Sequence, residues 1–482
     1  MSAQPQKKSP SPPAPWLPER DLRDAVQRER NTNDLALRHV VGTTLVPAHY
    51  SYRDRDTTVT SALRLSATAG SYEEPDPLWA PAPTGADPLP GQLDRWLAAR
   101  GAELVALRRH IHSHPELSGR EFDTAALIAR ELSLAGLTPR LLPKGNGVLC
   151  DVGSGEKAVA LRADLDALPL PDTKDVPYRS TVENVCHACG HDVHTTVLLG
   201  TGLALAQLDA RGDLPGRVRL IFQPSEEQFP SGATEVISLG GLKDVDAIFA
   251  MHCFPQLPVG LVGVRSGPLT AASDVVEVRL TGRGGHTARP HLTADLVNAL
   301  GRVVCDVPAL LNRRMDPRSG TTMVFGAVRA GEAANTIPME GHARGTVRVL
   351  SRDAWRELPD IVPQLIRDAV AGTGVTAHVN YVRGVPPVVN DRMATAVVAS
   401  AAAAALGPER VVEAEVSMGG EDFSFYVEQV PGAMIRLGVG VPGATEKVDI
   451  HQSSFDVDER AIGHGVRVFV HTALAALSTS SF

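Results

Sequence analysis

Cysteine is scarce, with five residues in 482. An odd, low count in a long chain argues against a disulfide scaffold and fits a reducing compartment. There is no excess of positive charge: 47 Lys and Arg against 55 Asp and Glu give a formal net charge of −8. That balance argues against a nucleic-acid surface and against attraction to an anionic membrane. No uninterrupted apolar run approaches the ~20 residues of a membrane-spanning helix. The opening MSAQPQKKSPSPPAPW has two lysines, then prolines and serines, and lacks the apolar stretch of a secretory signal. These absences together lead to the expectation of a soluble, cytoplasmic protein with neither nucleic acid nor membrane as partner. What is present, 43% hydrophobic and 21% charged residues, suffices to fill sizeable cores. The length suggests two or three domains.

Residues 1–90 read as a disordered or loosely attached extension. Six prolines fall within the first 18 residues and six more from Pro75 to Pro90, with little periodicity between. Order begins near Leu93, where Leu93, Trp96, Leu97, Leu104, Leu107 and Ile111 recur at helical spacing. A second helix ends at Gly136. Short apolar strands follow at 158–164, 217–222 and 246–251, with the helical stretch HTTVLLGTGLALAQL between the first two. Strands alternating with helices predict a mostly parallel sheet with helices on both faces. From Asp274 the order becomes strand, helix, strand, strand, helix, strand: a βαββαβ unit, ferredoxin-like, forming a small antiparallel layer. An alanine-rich helix at 392–406, the strand MIRLGVG and a final helix then resume the first pattern. The expected organisation is an α/β domain over 91–273 and 385–482, interrupted by an inserted domain at 274–384.

The window NVCHACGHDVHTT, residues 184–196, concentrates two cysteines and three histidines. A structural zinc site needs a second Cys/His pair at short spacing, and Cys150, Cys253 and Cys305 stand alone. A haem attachment needs His directly after the second cysteine, where Gly190 sits. A redox dithiol of Cys186 and Cys189 stays open. So does a metal site assembled from distant segments, since ligands to an open parallel sheet gather beyond the carboxyl ends of its strands. Asp164 and Asp166, Glu226 and Glu227, and His252 all stand at such ends, and the CGHD turn opens a helix. In an adjacent glutamate pair, one residue can bind metal while its neighbour acts as a base on water. Other polar residues have plainer readings. His110, His112 and His114 suit a helix end, His194 shares the helix face of His191, Cys186 is a small core residue, and Asp192 caps its helix.

Nine segments occur in order over residues 93–480: RRHIHSHPELSGREFDTA, LRADLDALPL, HACGHDVHTTVLLG, FQPSEEQFPSGA, MHCFPQLPVG, GRGGHTARPH, ANTIP, MGGEDFSF and HQSSFDVDE. In these the chain resembles the M20 metallopeptidase superfamily, within it the amidohydrolase branch of N-acyl-amino-acid, hippurate and indole-acetyl-amino-acid hydrolases. The resemblance implies the metal ligands Cys189, His191, Glu227, His252 and His451, with Glu226 as general base. It implies Asp166 as an orienting partner of a ligand, and His286 and Asn335 as substrate contacts reached when the inserted domain closes. MGGEDFSF is implied to wall the pocket. The implied cofactors are two divalent ions per subunit, manganese foremost, zinc or cobalt close behind. The implied reaction is hydrolysis of the amide of a small N-acyl amino acid, in a homodimer joined through the inserted lid. A related dipeptidase or carboxypeptidase, and a non-enzymatic metal-binding or thiol redox protein, are the competing readings.

Overall fold

The computed structural model describes residues 88–444, 448–480 and 482. The extension expected over residues 1–90 lies almost wholly outside these. Helices α1 (Pro88–Ser113) and α2 (Phe122–Leu134) lead into strands β1 (Arg140–Leu141), β2 (Val148–Val152) and β3 (Ala158–Asp164). Next come α3 (His191–Asp209), β4 (Arg217–Gln223), α4 (Gly232–Ser238), β5 (Ala247–Pro258) and β6 (Val262–Val264). The last segment contributes α7 (Arg392–Leu406), β15 (Val411–Glu413), α8 (Ser424–Val427), β16 (Gly432–Gly440) and α9 (Arg460–Ser478). Eight of these strands form one sheet, ordered β1-β2-β4-β3-β5-β16-β6-β15. Its centre, β4-β3-β5-β16, is parallel throughout.

Alternation along the central strands divides their side chains between two cores. Val159, Leu161, Phe249 and Met251 pack with α1, α3, α7 and α9. Ala160, Ile248, Ala250 and Met434 pack with α4 and α8. Each large aliphatic side chain so buried contributes about 1.5–3 kcal/mol. Helix α3 is buried at every residue from His191 to Gly202, as befits a helix apolar around its whole circumference. Gly202 lets it lie directly on β4, because a Cβ there would stand 2.4 Å from Leu220 Cδ1.

Between β6 and α7 lie β7 (Gly267–Thr270), β8 (Ala272–Thr281), β9 (Gly285–His286), α5 (Leu296–Arg314), β10 (Thr322–Ala330), β11 (Thr336–Ile337), β12 (Glu340–Val349), α6 (Arg352–Val370), β13 (Thr376–Val385) and β14 (Val388–Asn390). Four of them make a separate antiparallel sheet, β10-β12-β8-β13, with α5 and α6 packed on one face. Short strands β7 and β14 pair where the chain enters and leaves this unit. Asp274, fully buried beside that neck, accepts hydrogen bonds from Trp355 Nε1 (2.9 Å), Tyr381 Oη (2.7 Å) and the Gly384 amide (2.9 Å). Strands β9 and β11 form a two-stranded ribbon pairing His286 with Thr336. No helix among the described residues is long and apolar enough to cross a membrane.

Candidate metal centre

The carboxyl ends of the parallel strands converge on one point. Strand β3 runs out into Asp164 and Asp166, and β4 into the turn carrying Glu226 and Glu227. Cys189 and His191 flank Gly190 at the start of α3. Gly190 has φ 88°, and a Cβ on it would meet Cys253 Cβ and Sγ at 2.9 Å, so glycine is required there on both counts. His252 does not end its strand as the sequence suggested. Strand β5 continues to Pro258, but its pairing with β3 stops at Ala250, so His252 lies where β5 outruns its neighbour.

Cys189, His191 and His252 bring one donor atom each within 4.8 Å of one another, as do Cys189, Glu227 and His451. The set His191, Glu226 and Glu227 meets the same limit. All five expected ligands and the expected base are therefore in one cluster, with Cys189 common to two triads. Cys189, His191 and His252 are buried. The side chains of Glu227 and His451 are 13% and 49% exposed, so the cluster opens towards solvent on their side.

Hydrogen bonds fix which nitrogen each histidine offers. His191 Nδ1 donates to the Asp166 carbonyl oxygen (2.9 Å) and to Asp166 Oδ1 (3.2 Å), leaving Nε2 buried without a hydrogen-bond partner, 3.8 Å from Asp164 Oδ1. His252 Nδ1 donates to the Cys253 carbonyl (2.8 Å), and its Nε2 faces Cys189 Sγ at 3.4 Å. His194 is spent: Nδ1 donates to Asp164 Oδ1 (2.6 Å) and Nε2 accepts the Cys253 amide (2.8 Å). Asp164 is spent likewise, its other oxygen accepting from Arg162 at 2.6 Å. The donor set suits a divalent ion: an orphaned imidazole nitrogen, a second imidazole with its outer nitrogen tied to a carbonyl, a thiol and a carboxylate.

The charges around the cluster are strongly coupled. Burial pushes the Cys189 thiol well above its ordinary value, and Glu227, Glu226 and Asp164 push the same way. Burial also raises Glu226 well above the carboxylate range, reinforced by Glu421, Glu227 and Asp422. His191 is raised to about 10; burial opposes this, but Asp164 and Asp166 outweigh it.

Two non-glycine residues with positive φ sit in the cluster wall. Ser225, φ 55°, precedes Glu226, and its amide donates to the buried Glu121 carboxylate at 2.8 Å. His451, φ 61°, is held by its amide bond to the Ala188 carbonyl at 2.7 Å. Such conformations cost of order 1–3 kcal/mol and persist where surroundings fix them. Asp166 Oδ2 accepts from Ser118 Oγ (2.6 Å) and from the Glu227 amide (2.9 Å), so one carboxylate braces both His191 and the glutamate turn.

Sequence reasoning missed the outer supports. Arg162, inside the apolar strand AVALRAD, joins Asp164 to Asp422 and is completely buried. Asp422, in the segment expected to wall the pocket, also accepts from Gln223 Nε2 and Ser231 Oγ. An arginine in a strand whose every residue is buried was the available signal. Asp192 forms no cap; instead it accepts from Arg108 Nε (2.6 Å) and His112 Nδ1 (2.8 Å), which anchors α3 to α1. His112 is a buried bridge, whereas His110 and His114 stack at the helix end. Cys186 is buried, with its backbone paired to Leu168.

His286 and Asn335 are brought together, with the Thr287 amide donating to the Asn335 carbonyl at 3.2 Å. Both are exposed, and among the described residues no hydrogen bond or ion pair ties either to the cluster.

The chain is 46% identical over 381 residues to the putative glutamate–cysteine ligase 2-3 of Rhodococcus jostii, covering 79% of this chain. It spans only 47% of that relative's length. It is 36% identical to an N-acetylcysteine deacetylase of Bacillus subtilis, covering 78% of this chain and 97% of that protein. The solved structure of Bacillus subtilis YXEP, described as a dinuclear metal-binding peptidase of the M20 family, superposes with a TM-score of 0.69 at 35% identity, covering 79% and 99% of the two chains. The model of peptidase family M20/M25/M40 matches residues 160–475, the span that holds the whole cluster. With family model, relatives and fold in agreement over the same segment, the chain belongs to peptidase family M20/M25/M40.

Proposed function

We propose that this chain hydrolyses the amide bond of N-acyl amino acids. Cys189, His191, Glu227, His252 and His451 hold two divalent ions, and Glu226 is the general base. The observation that carries the reading is the convergence of these five donors with a glutamate beside Glu227 that the ligand set does not need. A purely structural or storage site has no use for a base next to its ligands. The N-acetylcysteine deacetylase relative supports the substrate class.

Divalent ions held by these five residues would supply Lewis acidity and would lower the pKa of water towards ~7. Glu226 takes the proton from the attacking water and returns it to the departing nitrogen. Asp166 holds the His191 tautomer and the Glu226–Glu227 turn in register. The small antiparallel sheet with α5 and α6 serves as the lid, bringing His286 to the oxyanion and Asn335 to the substrate when it closes. The same unit joins two copies into a homodimer. Manganese is the resident ion, although the Cys189 thiolate also accommodates zinc or cobalt.

The test is a hydrolysis screen of metal-reconstituted protein with N-acetyl amino acids and dipeptides. Turnover of the acyl conjugates in preference to dipeptides supports the reading. Preference for dipeptides makes the chain a peptidase of the same family, and turnover of neither refutes an amide hydrolase acting on amino-acid derivatives.

A further inference from the structure

Two arginines interrupt apolar strands of the large sheet, and their surroundings differ. Arg162 in β3 is paired with Asp164 and Asp422, with Glu421 also at 3.3 Å. Arg436 in β16 is only 6% exposed. No hydrogen bond or ion pair joins its guanidinium to any described residue, and its Nε is sealed from solvent without a partner. The contact that stabilises its charge is the face of Phe254, 5.6 Å from Cζ. Burial lowers its pKa below the usual arginine value, while Glu421 and Cys189 act on it through space. A buried cation without a counter-ion is costly.

Its position gives that cost a use. Strand β16 runs parallel to β5, and Arg436 stands beside His252 in that pairing. Residues aligned across neighbouring strands leave the same face of the sheet, so Arg436, His252 and, two residues on, Phe254 share one side. That side carries the Cys189 cluster. The neighbouring acids are committed elsewhere: Asp422 to Arg162, Gln223 and Ser231, and Glu421 to the Phe423 amide at 2.9 Å. The protein thus keeps an uncompensated guanidinium fork next to its metal ligands. That fork matches a carboxylate in two parallel hydrogen bonds.

We propose that Arg436 is a specificity-determining residue that receives the free carboxylate of the amino-acid half of the substrate. The assignment rests on the amide-hydrolase reading above and deepens it. It selects substrates carrying an anion next to the scissile amide over their uncharged amides and esters.

The experiment compares N-acetyl-L-methionine with its C-terminal amide, using the full-length, manganese-reconstituted protein. Wild type should prefer the acid by about 10²-fold or more in kcat/KM, as expected when an analogue leaves a buried charge unpaired. In Arg436→Met that ratio should collapse towards one, mainly through KM for the acid, with metal content by elemental analysis unchanged. Arg436→Lys should fall between the two. If acid and amide turnover decline together and metal is lost, Arg436 serves as counter-charge to the Cys189 thiolate and the proposal is overturned. A wild-type ratio near one overturns it without any variant, which covers the case in which Arg436→Met does not fold. If wild type hydrolyses neither compound, the functional reading fails, and calorimetric titration of both compounds still decides. Tighter binding of the acid to wild type, lost in Arg436→Lys or Arg436→Met, supports the carboxylate site, whereas equal affinity for acid and amide overturns it.

Discussion

Replacing Asp166 with asparagine changes one atom and breaks a three-way brace. Asp166 Oδ2 accepts from Ser118 Oγ at 2.6 Å and from the Glu227 amide at 2.9 Å, and Oδ1 accepts from His191 Nδ1 at 3.2 Å. An asparagine can keep an oxygen at only one of these ends. Turned with its oxygen towards Ser118 and Glu227, it sets an NH2 group against the His191 N–H, donor facing donor. Turned the other way, it orphans the Glu227 amide, and a buried unsatisfied donor costs about 1–3 kcal/mol. The first orientation is cheaper, because the Asp166 carbonyl at 2.9 Å still holds the His191 proton. His191 then keeps its tautomer but loses the charge behind it. Outer partners of this kind are worth roughly 10–100-fold in metal affinity, or about 1.4–2.8 kcal/mol. Asp166 also helps to raise His191 to about 10, so the variant's histidine releases its proton more readily. That offsets part of the loss at low pH, and the gap between variant and wild type should widen as pH rises. Competition with a chelator of known affinity, run at several pH values, measures both effects. Affinity within twofold of wild type throughout would refute the assigned role of Asp166.

Cys189→Ser should empty the site, because a hydroxyl is a far poorer ligand than a thiolate, whereas Cys186→Ser should leave metal content and activity nearly unchanged; elemental analysis with an assay checks both. A Cys186→Ser protein that holds its metal but is inactive would favour thiol redox chemistry instead. Metal loading should also release protons. At pH 7 and without metal, the Cys189 thiol, lifted by burial and by neighbouring carboxylates, and His191, raised to about 10, both carry protons. Binding must expel both, so apparent affinity should rise by up to about two log units per pH unit between pH 6 and 8. Calorimetry in buffers of different ionisation enthalpy counts the protons, and none released would contradict the ligand assignment.

Much of the cluster was legible because its members sit in short motifs at strand ends. The pair Glu226–Glu227 and the CGHD turn are local features, and the alternation in DVVEVRL announced the antiparallel sheet. The supports were not legible for a physical reason. Arg162, Asp422 and Glu121 act across distances of tens to hundreds of residues, and no local period encodes such pairs. Asp192 read as a cap because acids near helix starts usually serve there, but Arg108, from a helix 84 residues earlier, claims it first. The short strands β6 and β15 have three residues each, too few to show alternation. His286 and Asn335 lie side by side only because the ribbon pairs His286 with Thr336 and the Thr287 amide donates to the Asn335 carbonyl, a juxtaposition no local pattern announces.

The central claim is that two adjacent glutamates differ in kind, and one experiment separates them. Glu226→Gln preserves size and hydrogen bonding but cannot take a proton, whereas Glu227→Gln removes a charged ligand. Both variants should be assayed with limiting and with excess metal, alongside elemental analysis. The account predicts that Glu226→Gln keeps its metal and loses about 10²–10⁴-fold or more in turnover, unaffected by added metal. Glu227→Gln should lose metal first and regain part of its activity when metal is supplied in excess. Rescue of Glu226→Gln but not of Glu227→Gln would exchange the two roles, and normal hydrolysis by both variants would place the chemistry elsewhere.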